Sequence, residues 1–307
     1  MKEKKVKSLK IVDSNADVSA GSRADLYWKT AGIMELFKKL RPGLSIPENF
    51  IKNPDNTITQ FKLKAVAFGN WVTIEDRINY TAVMFLSFYD MNKVLRFNSN
   101  IGLKNLSVTF GDRGFPKSLA HYNPGSILIN INRYKRGAEP KEYRFLTSGG
   151  VHSFAHEYGH FLDYFAGGIL EPTLNYYACT GGHSVARYKL LINSPIRAKV
   201  DDILYKIMWK RPGQLTDYYK ALADLVDTED SGFGEYWIRR NELFARAFEK
   251  YIQFELNEMG IKNHFLTKTR YTDFVYVPDN HFKILVPDFR EFIKLTRDKI
   301  KQKQQSN

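Results

Sequence analysis

Five consecutive residues, His156-Glu157-Tyr158-Gly159-His160, place two imidazoles and a carboxylate inside Ser153-Phe-Ala-His-Glu-Tyr-Gly-His-Phe-Leu-Asp163. Side chains four residues apart on a helix lie one turn apart on the same face, so His156 and His160 can both direct a ring nitrogen at one ion about 2 Å away. Glu157 then stands beside the ion. There a carboxylate can take a proton from an activated water as it attacks a carbonyl, and pass it to the leaving amine. With 7 His and 15 Glu in 307 residues, chance predicts about 0.008 windows of this pattern, so coincidence is a weak explanation. Val151, Phe154, Ala155, Tyr158, Phe161, Leu162 and Phe165 surround the polar residues with apolar ones and predict a buried helix, which Gly167-Gly168 would end. Polar groups buried there without partners would cost several kcal/mol, and a metal would supply that partner. The plainer alternative is a pair of core histidines satisfied by hydrogen bonds.

A catalytic zinc site takes three protein groups and keeps one position open for water. Candidates for the third are Asp163, His183, Glu242 and Glu249. Asp163 sits three residues past His160, a range better suited to orienting an imidazole than to joining the ion. His183 lies in Thr180-Gly-Gly-His-Ser184, a loop that could approach the site. Asn241-Glu-Leu-Phe-Ala-Arg-Ala-Phe-Glu249 is the stronger signal. It reads as a second amphipathic helix with Glu242, Arg246 and Glu249 on one face and Leu243, Phe244, Ala247, Phe248, Tyr251 and Ile252 for packing. A carboxylate from a second helix would complete a site of two histidines and one glutamate, whereas an ordinary surface glutamate is the simpler reading of Glu242. His152 adds a third histidine at helical spacing but lies two turns from His160, outside the expected set.

Elements to carry these groups can be read from the pattern. Ser22 and Asp25 open a helix whose apolar positions recur until Arg41-Pro-Gly43, and another helix is predicted over 77–97. Leu106-Ser-Val-Thr-Phe110 and Ser126-Ile-Leu-Ile-Asn-Ile-Asn132 read as strands, the second entered through an Asn123-Pro-Gly125 turn. Helical patterns return over 149–166, 195–209, 216–226 and 241–256. A few strands followed mainly by helices predicts an α+β fold.

The hydrophobic fraction of 43% is ample for a core, and disorder throughout is excluded. A net charge of +13 suggests an acidic partner, so a weak nucleic-acid association through the basic surface is expected. Lys and Arg are nevertheless scattered and form no recognisable reader motif. Cys179 is the one cysteine, which excludes an intramolecular disulfide and fits a reducing compartment. The basic start lacks the apolar stretch of a secretory signal, and the richest apolar run, Thr81-Ala-Val-Met-Phe-Leu-Ser-Phe88, is far short of the roughly 18 residues of a membrane span. A soluble, cytoplasmic protein without membrane contact is expected. The predicted organisation is a basic flexible tail over 1–20, a helical lead-in over 21–64, one compact unit over 65–295 and a basic tail over 296–307.

Phe68-Gly-Asn-Trp-Val72, Leu106-Ser-Val-Thr-Phe-Gly-Asp-Arg-Gly114, Ala120-His-Tyr122, the 127–132 strand, the His-Glu-Tyr-Gly-His-Phe-Leu-Asp segment and Glu242-Leu-Phe-Ala-Arg-Ala-Phe-Glu249 follow one another in an order that resembles the first of the large polyvalent protein-associated domains. Those domains occur in phages and mobile elements and are regarded as metallopeptidases. The two helical signatures are also similar to those of the anthrax lethal factor class of zincins. This resemblance implies a zincin-like fold, His156, His160 and Glu242 as ligands of Zn²⁺, Glu157 as general base and a protein or peptide substrate. Tyr236 lies within a residue of a tyrosine that helps stabilise the tetrahedral intermediate in that class, which implies the same role for it. In many zincins a substrate strand pairs with an exposed sheet edge, and 126–132 is the segment expected to provide it. The resemblance also implies a setting in a bacterial host cell or in a virion. An alternative of another class is a non-catalytic, zinc-containing structural or DNA-associated protein of a phage or mobile element.

Overall fold

Short apolar segments form a four-stranded sheet in the first half of the chain. The computed structural model describes residues 41–42, 56–69, 74–111, 120–131, 152–228, 234–268, 270–271 and 274–306. By its internal contacts the chain divides into two units. One comprises Met1–Lys93, Phe97–Phe154 and Met259–Leu266, and the other Val94–Arg96, Ala155–Glu258 and Thr267–Asn307. The expected tail over 1–20 and most of the helix expected to run from Ser22 lie outside the described residues.

In the first unit, α1 (Asn56–Phe61), β1 (Ala65–Phe68) and α2 (Ile74–Leu95) precede β2 (Ser107–Phe110), β3 (Ala120–Asn123) and β4 (Leu128–Ile131). The strand order is β1-β2-β4-β3, with β1, β2 and β4 parallel and β3 antiparallel to β4. Val66, Val108 and Ile129 lie in register across the parallel strands and are buried. The polar Thr109 and Asn130 also pair in register, Thr109 Oγ1 donating to Asn130 Oδ1 at 2.8 Å. The segment expected to form a free sheet edge instead supplies β4, which is hydrogen-bonded on both sides; among the described residues the edges are β1 and β3. Its Leu-Ile-Asn-Ile run carries the near-continuous apolar pattern of a central strand. The Asn123-Pro-Gly125 turn connects β3 to β4, with Asn123 Oδ1 accepting the Ser126 N–H at 3.1 Å.

Every residue from Tyr80 to Phe88 in α2 is buried, which accounts for the apolar run noted in the sequence. Phe61 packs edge-on against Phe85 and Phe88, while Tyr80 stacks on Phe110. The buried Asp90 accepts from Arg41 Nη2 and Asn263 Nδ2, both at 2.9 Å. Among the described residues, no helix is long and apolar enough to cross a membrane.

The second unit is mainly helical. It contains α3 (Phe154–Phe165), α4 (Pro195–Met208), the β5–β6 hairpin (Trp209–Arg211 and Gln214–Leu215), α5 (Asp217–Thr228), α6 (Gly234–Ile238), α7 (Arg240–Glu258) and α8 (Asp279–Gln305). Gly167 and Gly168 do not end the first of these helices abruptly, because residues Ala166–Leu170 continue it as a π-helical turn. α7 is buried without interruption from Arg240 to Ile252, so it is a central helix surrounded by others rather than an amphipathic surface one. Phe244 and Phe248 pack against Phe289 of α8, and Tyr251 stacks on the same ring. The sequence reading did not anticipate α8, since Pro287 interrupts the pattern and the end is Lys-rich. Even so, Phe282, Leu285, Phe289, Phe292, Thr296 and Ile300 form a buried stripe at helical spacing. Residues 296–305, expected as a tail, are part of this helix.

The molecule is thus α+β, with a small mixed sheet and a larger helical part.

Candidate metal centre

α3 presents His156, Glu157 and His160 within its first two turns, and α7 presents Glu242 in its first turn, all in the second unit. One carboxylate reaches both imidazoles: Glu242 Oε2 stands 3.4 Å from His156 Nε2, and Oε1 stands 3.3 Å from His160 Nε2. Ligating atoms of the three residues all lie within 4.8 Å of one another, an arrangement that could hold a metal ion. Two donors bound tetrahedrally at 2.0–2.1 Å from a common ion stand about 3.3–3.4 Å apart, whereas a charge-assisted hydrogen bond between them would close to about 2.7–2.9 Å. The observed separations match a shared ion. Glu242 Oε2 is moreover buried with no hydrogen-bond partner, a condition a bound cation would relieve.

Gly159 allows the two helices to approach. A Cβ at that position would meet Phe248 Cδ1 at 3.1 Å and Ala245 Cα at 3.3 Å, so the glycine inside the His-Glu-Tyr-Gly-His run is a packing requirement of the site. The start of α7 is then held in place by the loop after the π turn. Arg240 N–H donates to Ser184 O at 2.8 Å and Asn241 N–H to Gly182 O at 3.3 Å. The buried Arg240 guanidinium donates to Thr180 O at 2.6 Å and Tyr188 O at 2.9 Å, and pairs with Asp201. Thr180 in turn donates its N–H and hydroxyl to the two oxygens of Asp163, at 2.9 and 2.7 Å. The second candidate carboxylate is thereby engaged by the loop and supports α3 without joining the cluster, although its charge and that of His160 are close enough to interact.

Burial would push the His156 imidazole down, but Glu242 and Glu249 outweigh it and hold it up, at about 10. Burial would push the Glu242 carboxyl up, but the positive charge of His160 and contacts with both imidazoles hold it well below the usual carboxylate range. The charge of the buried Glu157 acts on both His156 and Tyr236. Burial, the Glu242 charge and a hydrogen bond to Glu242 push the Tyr236 phenol far up, so its hydroxyl keeps its proton at neutral pH.

His183 is exposed on the loop; partial burial and the positive charge of Arg239 lower its basicity, and the charges of Glu242 and His160 also reach it. Glu249 does not enter the cluster; its Oε2 stands 3.7 Å from His156 Nδ1. His152 lies in the other unit, in a turn with φ of 81° where its N–H donates to Phe265 O at 2.8 Å. Sequence reasoning had no sign of the role of Gly159, nor of the tyrosines that bind Glu249.

Residues 229–300 match large polyvalent protein-associated domain 1. The match spans α6, α7 and most of α8 and contains Tyr236, Glu242 and Glu249. The histidines of α3 lie outside the part that matches this domain. No curated protein and no solved structure shows a significant match to the chain.

Proposed function

We propose that this chain is a zinc-dependent peptidase of zincin-like architecture, in which His156, His160 and Glu242 hold the ion. The observation that carries the reading is the pair of 3.3 and 3.4 Å separations between one carboxylate and two imidazoles, with a further carboxylate, Glu157, next along the helix. Two nitrogen donors and one oxygen donor suit zinc. When bound, zinc would supply the Lewis acidity that lowers the pKa of a water and polarises a peptide carbonyl.

The remaining steps belong to the chain's own groups. Glu157 accepts the proton of the attacking water on its carboxylate and returns it to the amine as the peptide bond breaks. Tyr236, protonated at neutral pH, gives its hydroxyl hydrogen bond to the carbonyl oxygen as that atom gains negative charge. The substrate is a protein or peptide. The match over 229–300 supports a phage or mobile-element setting, with action in the host cytoplasm or from a virion.

The test is cleavage of a panel of denatured proteins by zinc-loaded enzyme. Glu157→Gln is expected to abolish cleavage while metal uptake persists; cleavage that survives this substitution refutes the mechanism. The second reading, a non-catalytic zinc-containing or DNA-associated module, is favoured only by the net charge of +13. It predicts metal uptake without cleavage by the wild type, and DNA affinity that falls steeply with salt.

A further inference from the structure

The far side of the His156 ring faces a second buried carboxylate. Glu249 lies seven residues after Glu242, two turns along the same face of α7, and is 1% exposed. Its Oε2 stands 3.7 Å from His156 Nδ1, on the side of the ring away from the Nε2 that meets Glu242. Two phenols hold it there. Tyr271 donates to Oε1 at 2.9 Å and Tyr276 to Oε2 at 3.0 Å, their rings 4.6 Å apart. The neighbouring Lys250 fixes the same segment, donating to Val277 O and pairing with Asp279, each at 2.6 Å. Consecutive residues of α7 therefore bind the stretch from Tyr271 to Asp279.

We infer that Glu249 is a positioning residue of the metal centre. Its Oε2 stands 3.7 Å from Nδ1 and closes on the Nδ1–H of His156 when the ring turns its Nε2 to the ion. It so selects the tautomer whose Nε2 lone pair is free for the ion, while Tyr271 and Tyr276 keep the carboxylate beside the ring. This rests on the reading of His156, His160 and Glu242 as metal ligands. A neutral imidazole carries one N–H, and the partner of that N–H decides which nitrogen can coordinate. Carboxylates in this position raise ligand basicity and hold ring orientation, and their loss commonly weakens metal affinity about 10- to 100-fold. The support is asymmetric. Asp163, the acidic neighbour of His160, has both oxygens bound to Thr180. Glu249 also accepts on both oxygens, but its Oε2, which takes the Tyr276 hydroxyl, has a second lone pair and lies on the Nδ1 side of His156.

The experiment measures Zn²⁺ and Co²⁺ affinity by chelator competition, records the visible bands of the Co²⁺ form and follows melting of the chelated protein. Glu249→Gln is expected to weaken both metals about 10- to 100-fold and to shift the Co²⁺ bands. Tyr276→Phe, which keeps the carboxylate and Tyr271, is expected to move both readouts in the same direction by a smaller factor. It decides the matter if Glu249→Gln does not fold. A role confined to packing would lower the melting temperature of the chelated protein and leave affinity and bands of the folded variants at wild-type values; that result overturns the inference. A wild-type protein that takes up neither metal refutes the metal centre itself, which is a separate outcome.

Discussion

Gly159→Ala separates the packing of the site from its stability. The added Cβ would sit 3.1 Å from Phe248 Cδ1, 3.3 Å from Ala245 Cα and 3.4 Å from Phe248 Cβ. Ordinary contact begins at about 3.4 Å between carbon atoms, so α3 and α7 must separate by about 0.3 Å unless the Phe248 ring turns aside, and the backbone contact at Ala245 limits that escape. Alanine in a helix interior gains about 1 kcal/mol over glycine, which offsets much of a packing strain of about 1–2 kcal/mol. Thermal stability is therefore expected to change little. Metal sites tolerate only about ±0.2 Å in donor distance, and Glu242 is three residues from Ala245 on the helix that must move. Metal affinity is expected to fall about tenfold, equivalent to about 1.4 kcal/mol. The assay is chelator competition beside differential scanning calorimetry of the chelated protein. Wild-type affinity in Gly159→Ala would refute the argument that helix separation sets the donor geometry.

Without metal, His156 should make stability pH-dependent. Its pKa is raised on folding from 6.5 to about 10, so its contribution is present in full below about 6.5 and is lost as pH rises through the folded value. The melting temperature of chelated protein is expected to fall across that window, and His156→Gln should flatten the slope. Arg240→Ala would leave Asp201 buried without its guanidinium and uncap several loop carbonyls. Urea unfolding is expected to show a loss of about 3–5 kcal/mol; a loss below 1 kcal/mol would show that the pair is solvated in solution.

Much of the candidate site was legible because its signals are local. His156, Glu157 and His160 share one helix, and Glu242 opens another whose pattern was plain. The boundaries of α4, α5 and α7 follow the predicted ones closely for the same reason. What escaped depends on partners remote in sequence. Gly159 reads as a helix-weakening residue until Phe248 and Ala245 are seen against it. Tyr271 and Tyr276 lie in an aperiodic segment, and nothing in their spacing points to Glu249. The sheet order was also hidden: an apolar strand announces burial, but not which strands flank it, so β4 could be mistaken for an edge. Cross-strand partners decide that, and β3, with its mixed Ala-His-Tyr-Asn sequence, carries no clear strand pattern of its own.

The loop between the π turn and α4 orders itself in an unusual way. Leu174, Tyr177, Tyr188 and Leu191 are exposed, so apolar burial does little to fix it. Arg197 donates instead to the carbonyls of Gly167, Glu171, Tyr176 and Ala178, and Arg240 to those of Thr180, Ala186 and Tyr188. Heat-capacity change on unfolding tracks exposure of apolar surface, and this loop has little such surface left to expose. Its order should hardly weaken on cooling, while the aromatic core of α7 and α8 loses part of its driving force. Near the freezing point the Asp163–Thr180–Arg240 connection would be among the last parts of the second unit to loosen, and the start of α7 would keep its place while the core relaxes.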